Sequence, residues 1–182
     1  MQRLLFFTLA ALSISSLFAQ ESGIGDGFVL IAPIASEQVA LINAKKEVVH
    51  TWEVEGGAGN STYLEKDGTL LRTGKIPDNQ RFQARGGSGG IVSRYSWDGE
   101  LLWKYRVSDE NLHQHHDVEP MPNGNVLVIA WERHTRDEAI AAGRNPETIS
   151  ADAIWTETIL ELKPIGKDDA EVVWKWRLWD HL

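Results

Sequence analysis

Histidine is the residue type in this sequence with the greatest capacity for chemistry near neutral pH, and its distribution is uneven. Three of the six histidines lie within one short segment, at His113, His115 and His116. His181 lies close to Leu182, the last residue of the sequence. Neutral imidazole is a nucleophile and a general base, and imidazolium binds the oxygens of an anion. These residues therefore predict acid–base chemistry or group transfer.

Two charged residues near the histidines suit the same chemistry. Arg133 ends the run that starts near Val126, and a guanidinium can clamp sulfate or phosphate oxygens through two hydrogen bonds. Asp117 follows the histidines and could fix the tautomer of one of them. The same segment could instead be an ordinary polar loop, or its His-x-His-His-Asp spacing could bind zinc. We predict His115, His116, His181 and Arg133 as the catalytic residues, with no metal and no cofactor.

The elements that must position these residues are repeated β-hairpins of two types. Hairpin A has two apolar runs around a polar turn and carries Trp at its end, whereas hairpin B lies between successive A copies. Asp-Gly and Asn-Gly dipeptides mark three of the turns, because these residues reach the positive φ values that tight hairpins need. The A copies lie at 39–52, 91–103 and 158–176, and the B copies at 63–71 and 118–128.

The alternation of hairpins predicts an all-β fold, and specifically a β-propeller. One A and one B hairpin give four short strands in roughly 40–50 residues, which is the period of a propeller blade. We place blade-like units at about residues 39–73, 91–131 and 158–182, or about two and a half blades. An insertion at 132–154 contains a short helix near Asp137–Gly143. A β-sandwich or an open meander is the alternative.

The repeat also predicts how distant histidines could meet. His116 precedes the second B hairpin, and His181 precedes the place where a third would begin. The start of an innermost strand faces a propeller's channel, so equivalent residues would converge on one axis. We predict a structural role for His50 and an exposed position for His134. The glycine-rich segment 86–90 lacks a phosphate loop's ending and is predicted to be a flexible or tight connection.

Composition excludes several classes of protein. The formal net charge is -8, which disfavours binding to nucleic acid or to an anionic membrane. The absence of cysteine excludes disulfides, cysteine-based zinc sites and thiol catalysis. Arg3, the apolar run Leu4–Leu17 and the small residue Ala19 predict a cleaved secretory signal at 1–19. The domain at 20–182 is therefore expected in the periplasm or outside the cell. A membrane anchor is the alternative, although spanning takes about 20 apolar residues.

Several motifs, taken together, are similar to those of a known family. They span from about residue 25 to the end of the sequence. They comprise His115 to Leu127, Ala130-Trp131-Glu132, Val172 to Trp176, Trp179-Asp180-His181-Leu182 and the entry Gly27 to Pro33. As a set they resemble the N-terminal part of the bacterial arylsulfotransferase family, in its arylsulfate sulfotransferase-like branch.

This resemblance implies a six-bladed propeller with a central site that moves a sulfuryl group from a phenolic sulfate ester to a phenol. It implies a sulfated histidine in a ping-pong cycle and no nucleotide sulfate donor. His115 or His116, together with His181, match the blade-entry histidines of the family, and Arg133 is the candidate clamp. The nucleophile of the family lies late in its chain, so its position here stays open.

The resemblance implies two small-molecule partners, an aryl sulfate donor and a phenolic acceptor. Two other functions remain open from the residues themselves. A non-catalytic propeller could bind a small anionic ligand, a glycan or a protein partner in the same channel. A metal-dependent hydrolase or lyase could use the histidine segment.

Overall fold

The computed structural model describes residues 25, 27–34, 36–79, 81–82 and 86–182, so the predicted signal at 1–19 lies outside the described residues. Within this part, eleven β-strands form three antiparallel sheets, accompanied by one short α-helix. The all-β prediction is confirmed, although the three sheets do not close into a ring. No helix in the described ranges is long and apolar enough to cross a membrane.

The strands of each sheet pair in chain order. The first sheet contains β1 (Phe28–Ile31), β2 (Gln38–Asn43) and β3 (Val48–Glu53). The second contains β4 (Ala58–Leu64), β5 (Leu70–Lys75), β6 (Gly90–Tyr95) and β7 (Leu101–Arg106). The third contains β8 (Leu112–Pro120), β9 (Val126–Thr135), β10 (Ala153–Ile165) and β11 (Asp169–Arg177). The hairpins that the turn dipeptides predicted are therefore present.

The sheets group the hairpins differently from the predicted units at 39–73, 91–131 and 158–182. Each four-stranded sheet combines a B hairpin with the A hairpin that follows it, because β5 pairs with β6 and β9 pairs with β10. In contrast, β3 and β4 belong to different sheets. Strand patterns identify a hairpin through its turn, but they do not say which neighbouring hairpin shares its hydrogen bonds. The two four-stranded sheets span residues 58–106 and 112–177.

The insertion is shorter than the predicted 132–154, because β9 and β10 extend into both of its ends. Helix α1 (Arg136–Ala141) and a 3₁₀ turn at Pro146–Thr148 lie between these strands. Glu138 N–H donates to Thr135 Oγ1 at 3.2 Å, and Thr135 N–H donates to Glu138 Oε2 at 2.7 Å. This capping box starts the helix, and Gly143 follows it with a φ of +99°.

Two hydrophobic cores lie between successive sheets. The first joins sheets one and two, and the second joins sheets two and three, so the sheets stack face to face. Burial of these side chains is the main force that holds the stack together. The first core includes Val39, Trp52, Leu70 and Tyr95, and the second includes Leu71, Val92, Trp103, Val118 and Leu160.

The tryptophans of hairpin A tie each sheet to the next one. Trp52 Nε1–H donates to the carbonyl oxygen of Ser96 at 3.1 Å, and Trp103 Nε1–H donates to that of Asp169 at 2.8 Å. Both acceptors lie in the turn region of the following A hairpin. Trp174, on the last sheet, is 48% exposed.

Their matched places in the sequence suggested that Trp52 and Trp103 occupy equivalent positions in their hairpins. The strand register shows that they do not. The two strands of each A hairpin shift register at one point. Trp103 in the second sheet and Trp174 in the third belong to the last pair before that shift. In the first sheet His50 belongs to the pair next to this shift, so His50 is the equivalent of the two tryptophans. Trp52 lies two residues further along β3. Because side chains alternate along a strand, a two-residue shift keeps Trp52 on the same face. His50 therefore has a structural place, stacked on Trp97 with ring centroids 4.0 Å apart.

Candidate functional site

The edge strand β8 of the third sheet contains a large β-bulge at the histidine segment. Gln114 pairs with Ala130 and Val118 pairs with Val128, so three residues of β8 face a single residue of β9. Those three residues are His115, His116 and Asp117. Bulges turn side chains away from the regular ladder and are frequent beside active sites.

The second sheet has the same bulge in its own first strand, β4. Ala58 pairs with Gly74 and Thr62 pairs with Arg72, so β4 also has three residues opposite one. The middle residue of the β4 bulge is Asn60, which makes it the structural equivalent of His116.

Both middle residues line one cavity of about 410 Å³, together with Tyr63 and Asp117. Equivalent positions of these two neighbouring sheets therefore line one cavity, in which His116 lies with Asn60 and not with His181. No histidine marks the β4 segment, so the sequence contained no signal for this residue.

His115 and His116 form a hydrogen-bonded array with a glutamate from β10. His115 Nε2 lies 2.6 Å from Glu157 Oε2, and His115 Nδ1 lies 2.8 Å from His116 Nδ1. The His115 ring is buried and stacks on Trp131, with ring centroids 4.2 Å apart. His116 is exposed at the cavity. The array thus runs from a carboxylate, through a buried imidazole, to an accessible one.

The hydrogen bonds of the array fix the tautomers of both imidazoles. A carboxylate accepts only, so His115 donates its Nε2–H to Glu157 and keeps an unprotonated Nδ1. His116 must then donate its Nδ1–H to His115 Nδ1, since one of the two nitrogens has to be the donor. Within the described part of the chain His116 Nε2 has no hydrogen-bond partner, so this tautomer leaves its lone pair free for a ligand. Burial lowers the pKa of His115 and outweighs the opposing effect of Glu157, which favours this neutral state.

The backbone of His116 adopts an unusual conformation, with a φ of +50°. Its N–H donates to the carbonyl oxygen of Gly87 at 2.6 Å, and its ring lies directly against the Gly87 backbone. Left-handed backbone is strained for residues other than glycine and collects at functional sites. The segment 86–90, predicted as a connection, therefore also supports β8. Gly90 N–H donates to Gln114 Oε1 at 2.9 Å within the same support.

Substitution of Gly87 tests whether this support positions the array. A Cβ at Gly87 would overlap the His116 ring, and the backbone φ of +73° is itself unfavourable for alanine. We expect Gly87→Ala to lower the free energy of unfolding by about 1–3 kcal/mol and to displace His116. Gly86→Ala is the matched control, because its Cβ would meet no atom within 4 Å. Urea unfolding of both variants measures the difference, and equal stabilities would contradict the proposed contact.

His113 is buried and takes part in structure. Its Nε2 lies 2.7 Å from Ser88 Oγ and its Nδ1 lies 2.8 Å from Ser108 Oγ, so both nitrogens have partners. Burial lowers the pKa of His113 to about 4, with smaller effects from His115 and Arg106. A neutral imidazole between two hydroxyls holds β8 against its neighbours.

The low pKa of His113 predicts a loss of stability in mild acid. Its ordinary pKa is 6.5, so between that pH and about 4 the unfolded chain binds a proton that the folded protein excludes. The contribution is fully present above 6.5 and is lost as the pH falls toward 4. We expect the free energy of unfolding to fall by about 2 kcal/mol between pH 7 and pH 5 through this group. Urea midpoints over this range should show a weaker pH dependence in His113→Gln, and an unchanged slope would contradict the assignment.

Asp117 was a candidate to fix the tautomer of a histidine, but it makes no hydrogen bond to a histidine ring among the described residues. Its Oδ1 accepts the hydroxyl of Tyr63 at 2.9 Å and the backbone N–H of Val118 at 2.9 Å. Burial, followed by the hydrogen bond to Asp117, raises the pKa of Tyr63 to about 12. The Tyr63–Asp117 pair forms one wall of the cavity, and Glu157 takes the orienting role on the other side of His115.

Arg133 is not brought to His116. Its side chain lines a separate cavity of about 550 Å³ with Arg81, Asp152 and Trp155. Arg133 Nη2 lies 3.4 Å from Asp152 Oδ2. As a clamp for a group on His116, Arg133 is therefore misplaced in the described structure, because it lies near the end of β9, beyond the bulge.

His181 lies after β11, which is one edge strand of the third sheet, whereas His116 lies on β8, the opposite edge strand. Three strand spacings of about 4.8 Å separate these two edges. The His181 ring stacks on Trp176, with centroids 5.2 Å apart, and among the described residues no hydrogen bond joins it to His115 or His116. His134, expected to be exposed, is buried, with Nε2 2.9 Å from Thr156 Oγ1.

The described residues contain no group of three or more His, Asp and Glu side chains placed to hold a metal ion. The fold and the site together define an all-β protein with a glutamate–histidine–histidine array at bulged edge strands. No family model and no curated protein matches this chain. One solved structure that it is similar to is a protein of unknown function from Bacteroides caccae. The match has 18% identity and a TM-score of 0.46, and it covers 81% of this chain and 39% of the other.

Proposed function

We propose that this protein is an exported arylsulfotransferase that moves a sulfuryl group from a phenolic sulfate ester to a phenol. The observation that carries the proposal is the Glu157–His115–His116 array, whose exposed imidazole, His116, lines an open cavity. In this proposal the stacked sheets are part of a six-bladed propeller, and residues 1–19 direct export to the periplasm or beyond. No nucleotide sulfate donor and no metal take part.

The proposed first step is attack by His116 Nε2 on the sulfur atom of the aryl sulfate. The S–N bond forms as the S–O bond to the ring breaks, and the phenolate leaves with the electron pair. The Nδ1–H of the sulfated imidazole is held by His115, whose own Nε2–H is held by Glu157. The acidic end of the array therefore stabilises the positive charge that the ring gains.

The second step reverses the first with a new phenol. The acceptor oxygen attacks sulfur, the S–N bond breaks, and the product is a new aryl sulfate with the imidazole restored. Asp117 lies beside His116 in the cavity, and its carboxylate is the proposed acceptor of the phenolic proton. The Asn60 amide is available to donate to the sulfuryl oxygens, where charge collects during transfer.

The test is transfer from 4-nitrophenyl sulfate to phenol by the full-length protein. Release of 4-nitrophenol should depend on phenol, and double-reciprocal plots at several phenol concentrations should be parallel, as a covalent intermediate requires. Intact-protein mass spectrometry with donor alone should detect one added sulfuryl group. Absence of phenol-dependent release would contradict the proposal.

A non-catalytic binding module is the second function that the site supports. The open cavity at Asn60 and His116 has the size of a small-molecule site, and imidazole and amide groups suit a small anion or a glycan hydroxyl. Saturable binding of the donor to the full-length protein without any turnover would favour this function.

A further inference from the structure

The cavity that contains Arg133 is distinct from the cavity at His116. It encloses about 550 Å³ and is lined by two arginines, one tryptophan and the short connection into β10. Its position follows from strand register, because Arg133 on β9 pairs with Trp155 on β10. The cation and the aromatic ring are thus placed side by side by the ladder itself.

The positive charge of this cavity is weakly neutralised. The Arg133 side chain is only 14% exposed, yet the carboxylate of Asp152, 3.4 Å away, is 93% exposed. Among the described residues, Asp152 is the only hydrogen-bond partner of the Arg133 guanidinium. A guanidinium has five N–H donors, so most of those of Arg133 have no partner within the described ranges and can bind a ligand. Arg81 Nη2 lies 3.8 Å from Glu110 Oε2, which is a long distance for an ion pair.

The apolar side of the cavity is a preformed aromatic wall. Trp155 packs against Phe82, with ring centroids 5.0 Å apart, and against Trp131 at 5.3 Å. Trp155 remains 38% exposed where it lines the cavity. Its neighbours fix its orientation, so an aromatic ligand could stack on it at little entropic cost.

We propose that this cavity binds an aromatic compound that carries one anionic group, such as an aryl sulfonate, sulfate or carboxylate. The ring stacks on Trp155. The anionic group accepts two hydrogen bonds from Arg133 and is attracted by the positive charge of Arg81. The ligand displaces the Asp152 carboxylate from Arg133 at little cost, because that side chain is already 93% exposed to water. This binding does not depend on the proposed sulfuryl transfer at His116.

The test is calorimetric titration of the full-length protein with benzenesulfonate. This probe has a carbon–sulfur bond and no transferable sulfuryl group, so its binding is independent of catalysis. We expect saturable binding at this cavity, detected by quenching of tryptophan fluorescence, and at least tenfold weaker binding there in Arg133→Gln and in Trp155→Leu. Methanesulfonate, which lacks the ring, should bind at least tenfold more weakly than benzenesulfonate.

Two control variants separate this cavity from its alternatives. Arg144→Gln removes an arginine of the insertion between β9 and β10, where its Nε–H donates to Thr148 Oγ1. This variant should bind the probe as the wild-type protein does. His116→Asn should also bind it normally. The proposal is overturned if the wild-type protein shows no saturable binding, if Arg133→Gln has no effect, or if methanesulfonate binds equally well. It is also overturned if His116→Asn abolishes binding, because the probe would then occupy the other cavity.

Discussion

Substitution of His116 by asparagine is expected to lower the rate of sulfuryl transfer by about 10³-fold or more, because it removes the nitrogen that would carry the sulfuryl group. Asparagine also tolerates a left-handed backbone, so the φ of +50° at this position is preserved. The measurement is phenol-dependent release of 4-nitrophenol, with urea unfolding to show that the variant is folded. A variant that retains more than a tenth of the rate would exclude His116 as the nucleophile.

Glu157→Gln tests the other end of the array. An amide can present its N–H₂ to His115 and force the opposite tautomer, so we expect a loss of roughly 10²-fold with His116 intact. Glu161→Gln is the matched control, since it is the same change on the same strand at a residue bonded to Asn123 and Asn125. Equal rates in both variants would show that Glu157 does not orient the imidazoles.

Substitution of Trp103 is expected to have the largest effect on stability. The side chain is buried between the second and third sheets, and its Nε1–H donates across the joint to Asp169. Trp103→Ala should lower the free energy of unfolding by about 3–5 kcal/mol, whereas Trp103→Phe should retain much of the packing and lose about 1 kcal/mol with the hydrogen bond.

Trp174→Ala is the comparison in the 182-residue chain, where the equivalent ring on the third sheet is half exposed. We expect a cost below about 1 kcal/mol, as for other exposed substitutions. Urea unfolding of all three variants gives the ranking. A loss as large as that of Trp103→Ala would contradict the exposure of Trp174.

Local sequence signals predicted the local parts of this structure. Dipeptides such as Asn123-Gly124 identified hairpins, because their backbone preferences act without distant partners. The helix was predicted for the same reason, and Gly143 follows its last turn. Which hairpins share a sheet was predicted wrongly, since the pairing of β5 with β6 depends on tertiary contacts that no turn residue encodes.

The site was predicted only where its residues are close together in the sequence. His115 and His116 stood out as a cluster, but Glu157 lies on another strand and reaches them only through the β9–β10 register. Asn60 comes from a different sheet and was missed for the same reason. Arg133 was chosen for its chemistry, and its misplacement shows that residue type does not fix direction at the end of a strand.

The three-stranded first sheet has a consequence for association between molecules. Among the described residues, β1 pairs only with β2, so its other edge presents unpaired backbone N–H and C=O groups. Phe28 is 64% exposed and Ile31 is 40% exposed along this strand. An apolar strand with a free edge is a template for addition of a strand from another chain. A strand that is absent from the described ranges, or one from a second molecule, would fit this edge, and Ile31→Lys should weaken association between molecules that uses it.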